Sequence, residues 1–77
     1  MDRKDAIALL KEIAADLALT PNWISLVNGD CGYEVHLNPD SVDTAALELI
    51  VKKHSLALKE ANELLVVYKE HDCPQGP

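Results

Sequence analysis

The sequence contains no phenylalanine, and its only aromatic residues are Trp23, Tyr33 and Tyr68. Core volume must therefore come from Leu, Ile, Val and Ala. Basic residues are also scarce. Seven Lys and Arg face thirteen Asp and Glu, giving a net charge of −6. No stretch has more than two adjacent basic residues, as at Arg3-Lys4 and Lys52-Lys53. Nucleic-acid phosphates require a basic footprint, and an anionic membrane surface asks for the same. Neither a nucleic-acid nor a membrane partner is expected. No run approaches the roughly 20 apolar residues of a membrane-spanning helix. The start, Met1-Asp2-Arg3-Lys4-Asp5, does not lead into the unbroken apolar segment of a signal peptide, because Lys11, Glu12 and Asp16 interrupt it. A cytoplasmic location is expected, and with it free thiols at Cys31 and Cys73. Two cysteines alone make no disulfide framework.

What is present is a globular composition. Apolar residues make up 48% of the chain, too many for a disordered segment. Its 77 residues suit one domain. Residues 1–70 are read as a single small α+β domain, and the polar, proline-containing stretch 71–77 as a flexible tail.

Residues 2–19 carry a helical stripe of Ala6, Leu10, Ile13 and Leu17, flanked by Ile7, Leu9 and Ala14. Asp2 supplies an N-cap, and Thr20-Pro21 is the expected stop. Residues 22–38 read as a β-hairpin with Asn28-Gly29 as its turn signal. Tyr33, Val35 and Leu37 alternate with Glu34 and His36, which turns the first three inward. The expected register pairs Leu26 with Tyr33 and Ile24 with Val35. Trp23, Ser25 and Val27 then share the opposite face with Glu34 and His36. A second helix follows Asn38-Pro39-Asp40, capped by Asp40, Ser41 or Asp43, with Ala46, Leu47, Ile50 and Val51 as its apolar stripe.

The segment 55–70 decides the fold. As a second hairpin, Leu56 and Leu58 alternate with Ala57 and Lys59, and Leu64 to Tyr68 form the closing strand. The rival is one long helix over 41–70, with an unbroken stripe from Leu47 to Tyr68. The hairpin is preferred, because two strands alone make a marginal sheet. The expected architecture is two-layer, α-β-β-α-β-β, an antiparallel sheet covered on one face by two helices. The alternative is α-β-β-α with a C-terminal helix over 41–70.

No motif is specific enough to carry an activity. Cys31, His36, His71 and Cys73 are the ligand types of a tetrahedral zinc site, but Cys-x4-His and His-x-Cys lack the spacing of chelating pairs. They are more simply a turn, a strand surface and a tail. Ser25, Glu34 and His36 are a hydroxyl, a carboxylate and an imidazole on one face. An open sheet offers them neither a pocket nor oxyanion donors. Asn28 to Gly32 is neither a phosphate loop nor a calcium loop. No cofactor is expected, and an enzyme is the least favoured class.

The sheet face bearing Trp23, Ser25, Val27, Glu34 and His36 has the composition of a binding patch. Either Leu64 with Val66 or Leu65 with Val67 must join it. Two helices cover one sheet face, so this second face wants a partner. The expectation is a non-enzymatic interaction domain, self-associating as a homodimer or docking another protein. The alternatives are a small-ligand or metal-binding protein using Cys31, His36, His71 and Cys73, and an acidic decoy for a basic partner surface.

Overall fold

A computed structural model describes residues 1–19 and 24–73. Helix α1 (Arg3–Asp16) is followed by strands β1 (Ile24–Gly29) and β2 (Gly32–Leu37). A short 3-10 turn (Pro39–Ser41) leads into helix α2 (Thr44–Lys53), then strands β3 (Ala57–Ala61) and β4 (Leu64–Tyr68), and a final 3-10 turn (Glu70–Asp72). The four strands form one antiparallel sheet in the order β1-β2-β4-β3. The α-β-β-α-β-β order expected from the sequence is the observed one, and the long helix over 41–70 is not formed.

Each helix begins on an aspartate. Asp2 accepts the Asp5 amide hydrogen at 2.8 Å, and Asp43 accepts from Ala45 at 3.1 Å, satisfying amides that no helical turn can reach. Both helices end in the same way. Leu19 N–H donates to the Ala14 carbonyl and Leu56 N–H to the Val51 carbonyl. Ala18 and Ser55 take positive φ between them, at 51° and 55°. This is the Schellman closure, here without glycine. The first helix thus stops ahead of Thr20-Pro21, which lie outside the described residues.

The first hairpin is offset from expectation. Ile24 pairs with Leu37, Leu26 with Val35 and Asn28 with Tyr33, so the turn is Asp30-Cys31 rather than Asn28-Gly29. The reason lies in where positive φ is used. Gly32 supplies it, at +80°, and the strands extend to the Gly29–Gly32 pair. The offset is two residues, so every side chain keeps its face. The second hairpin turns through Asn62 and Glu63, both at positive φ, 53° and 65°. Two such residues are what a two-residue type I′ hairpin requires.

Both helices lie on one face of the sheet. Ala6, Leu9 and Ile13 of α1 and Leu47, Ile50 and Val51 of α2 form one buried cluster with Ile24, Val35, Leu37, Leu65 and Val67. Leu9, rather than Leu10, carries the fully buried position of the α1 stripe. Glu12 ties the helices together at the surface. Its carboxylate accepts from His54 Nε2 at 3.0 Å and lies 3.6 Å from Lys53 Nζ.

Residues 71–73 follow β4 through the final 3-10 turn. They are fastened by a disulfide between Cys31 and Cys73 and by the Asp72 carboxylate, 2.8 Å from the Met1 ammonium. The cysteines are therefore not free thiols. The partners are 42 residues apart, too far for any local spacing to pair them. Residues 74–77 lie outside the described residues.

Candidate functional site

The helix-free face of the sheet holds the expected patch. Successive strand residues point to opposite faces, so Leu65 and Val67, which join the core, leave Leu64, Val66 and Tyr68 on the other side. Pairing then sets one row across all four strands. Ser25 lies opposite His36, His36 opposite Val66, and Val66 opposite Lys59. Val27 pairs with Glu34, and Ala57 with Tyr68. Polar Glu34 and His36 of β2 thus stand beside apolar Leu64, Val66 and Tyr68 of β4 at the centre of the face, with Ser25 and Val27 at one edge and Ala57, Lys59 and Ala61 at the other.

Four of the five residues singled out from the sequence stand on this face: Ser25, Val27, Glu34 and His36. Trp23 lies outside the described residues. Glu34 differs from expectation. A carboxylate on a binding patch is expected at the surface, yet Glu34 is only 7% exposed. Gly29 makes room for it, since a Cβ at Gly29 would stand 2.6 Å from Glu34 Oε1. The buried carboxylate is satisfied by His36 Nε2 at 3.1 Å, as a buried charge must be. Val66 is 2% exposed. Tyr68 is half-buried, and Lys59 Nζ stands 4.7 Å from the centroid of its ring. A cation over a ring face is an attractive contact.

Glu34, His36 and Ser25 thus form a carboxylate, an imidazole and a hydroxyl in sequence across two strands. The first two are hydrogen-bonded. Ser25 is exposed; its Cα is the strand partner of His36, but the His36 imidazole is hydrogen-bonded to Glu34. A nucleophile needs that second contact, so the arrangement positions His36 and does not activate Ser25.

The four metal-ligand types are not gathered into a site. Cys31 and Cys73 consume each other, His36 is held by Glu34, and His71 sits in the final 3-10 turn. Among the described residues no three or more His, Cys, Asp or Glu side chains form a metal-holding group.

A cavity of about 260 Å3 opens elsewhere, between α1 and the α2–β3 connection. Leu9 and Leu56 contribute its apolar walls, and Asp5, Glu12, His54 and Lys69 its polar ones. The hydrogen bond from His54 holds the Glu12 carboxyl below the usual carboxylate range, helped by the charges of His54 and Lys53. Sequence reading missed this pair. Glu12 and His54 are distant in the chain and carry no shared motif, and only the packing of α1 beside the end of α2 joins them.

Comparison with known proteins finds no matching family model, no matching curated protein and no matching solved structure.

Proposed function

We propose that the chain is a non-enzymatic interaction domain that self-associates through the helix-free face of its sheet. The observation that carries the reading is the second apolar side of that sheet. Both helices are spent on the first side, while Val27, Leu64, Val66 and Tyr68 stand on the second. Val66 is buried there, while Val27, Leu64 and Tyr68 around it stay partly exposed, and apolar side chains gathered on one sheet face are a common mark of an interface.

A second copy is the occupant the face suits best. Most soluble oligomers are symmetric homo-oligomers, and a two-fold axis demands a self-complementary surface. Glu34 lies on β2 and Lys59 on β3, on opposite sides of the β2–β4 centre line. A two-fold axis parallel to the strands sets β1 and β2 of one copy against β3 and β4 of the other. It therefore sets the β1–β2 half of one face, with Ser25 and Val27 at its edge, onto the β3–β4 half that carries Lys59. The zinc-site alternative is not carried forward, because its two thiolates are joined as a disulfide.

The test is a native mass spectrum of the protein at neutral pH, with Val27→Asp and Trp23→Asp beside it. Val27 stands opposite Glu34, so the circular dichroism of the Val27→Asp variant decides whether a lost dimer reports a lost contact or a lost fold. A dimer in the parent and monomers in both variants, with unchanged far-UV circular dichroism, is the expected result. A monomeric parent, or dimers in all three, overturns the reading.

A further inference from the structure

The Cys31–Cys73 disulfide fastens a segment that the core does not hold. After β4 the chain turns through Glu70–Asp72, and no residue of that turn is buried. The attachments of this segment are the disulfide to Cys31 and the Asp72 carboxylate, 2.8 Å from the Met1 ammonium. Met1 is in turn seated on the first hairpin. Its ammonium donates to the Cys31 carbonyl at 3.4 Å, and its carbonyl accepts the Tyr33 amide hydrogen at 2.8 Å. Met1 and the Asp72–Cys73 segment therefore meet beside residues 31–33, and one covalent bond secures the meeting.

We propose that this bond is a reversible thiol-exchange clamp: attack at Cys73 opens it and releases the Lys69–Cys73 segment while the four-stranded sheet stays folded. Access selects the sulfur. Cys31 is 6% exposed, whereas Cys73 is only half-buried. The leaving sulfur has a cation near its backbone: the Met1 ammonium lies 3.4 Å from the Cys31 carbonyl oxygen. Positive charge near a cysteine stabilises its thiolate, as leaving group and as product.

The exchange partner is a dithiol. Its first thiolate forms a bond to Cys73 Sγ. The Cys31–Cys73 bond breaks, and its electron pair leaves on Cys31 Sγ, which takes a proton. The second dithiol sulfur then attacks the mixed disulfide and frees the Cys73 thiolate. The protein disulfide is reduced by two electrons, and the dithiol is oxidised to its own disulfide. The sheet survives because its buried cluster, from Ile13 and Leu47 to Val35 and Val67, draws nothing from residues 69–73. Opening also alters the cavity beside Glu12 and His54, since Met1 and Lys69 are two of its walls.

The test treats the protein with excess dithiothreitol in native buffer. Thiols are counted by mass after alkylation, and amide hydrogen exchange is followed residue by residue. Two alkylations are expected after reduction and none before. Exchange should accelerate by at least about ten-fold at Asp72 and Cys73, while Tyr33 and the paired amides of β2 and β4 hold their rates. Cys73→Ser without reductant should reproduce that pattern. The proposal is overturned if the sheet amides accelerate together, if Asp72 and Cys73 keep their rates in reduced protein or in the variant, or if reduction requires denaturant. Two free thiols in the untreated, air-exposed protein overturn it as well.

Discussion

Gly32 and Met1 touch so closely that no side chain fits between them. A Cβ on Gly32 would lie 2.8 Å from the Met1 carbonyl oxygen and 3.2 Å from its nitrogen, and Gly32 itself sits at φ +80°. Both constraints oppose any L-residue. Gly32→Ala is expected to destabilise the protein by about 1–3 kcal/mol, seen as a lower urea midpoint at unchanged m. An unchanged midpoint would show that Met1 yields without cost.

Gly29 poses the contrasting case. Its φ is not in the left-handed region, and the obstacle to a Cβ is the Glu34 carboxylate, 2.6 Å away. A side-chain end moves more cheaply than backbone. Gly29→Ala should keep the fold and break the Glu34–His36 hydrogen bond, read as a change in the His36 ring resonances in an NMR spectrum. Intact His36 resonances would mean that the strand, not the carboxylate, had moved.

The second hairpin turns on a residue poorly suited to it. Glu63 holds φ 65° beside Asn62 at 53°. Glu63→Gly creates the Asn-Gly pair that such turns favour and is expected to stabilise by about 0.5–1 kcal/mol. Thermal unfolding checks this, and a lower transition temperature would refute it.

Acid should weaken two contacts. The hydrogen bond from the Met1 ammonium, with its charge, lowers the Asp72 carboxyl pKa, and the hydrogen bond from His54 does the same for Glu12. Each folded carboxyl lies below its unfolded value, so the native state binds fewer protons in that window. The resulting stability is present above the unfolded carboxylate pKa values and is lost as pH falls through the folded ones. Titrating the carboxyl carbons by NMR should give both midpoints below the ordinary range. His54→Ala should move the Glu12 midpoint upward and leave Asp72 in place.

The sequence was legible where its signals were local. Asp2 and Asp43 announced helix starts, and alternation in Tyr33 to Leu37 assigned the faces of β2. Even the choice between helix and hairpin over 55–70 followed from the need for more strands. The register of the first hairpin was misplaced because Asn28-Gly29 is a stronger turn signal than Asp30-Cys31. The decisive constraint, the left-handed Gly32, stood three residues further on. The disulfide, the Met1–Asp72 pair and the Glu12–His54 pair join distant parts of the chain, and no periodicity reports such meetings. The burial of Glu34 escaped notice for a related reason. It depends on the bare backbone of Gly29 on the neighbouring strand, and a glycine in a strand shows only that something approaches it.

The strand order carries a consequence for assembly. Each hairpin and the helix before it are neighbours along the chain, so their contacts close short loops. The two halves are stitched together by three residue pairs between β2 and β4, from Val35–Val67 to Leu37–Leu65. Long-range closure carries the entropic cost of ordering the chain, and here it falls on this seam, on the core that both halves share, on the Glu12–His54 pair and on the Cys31–Cys73 bond. Within each helix-hairpin unit the contacts close over short loops, so the costly step of assembly is the joining of the two units.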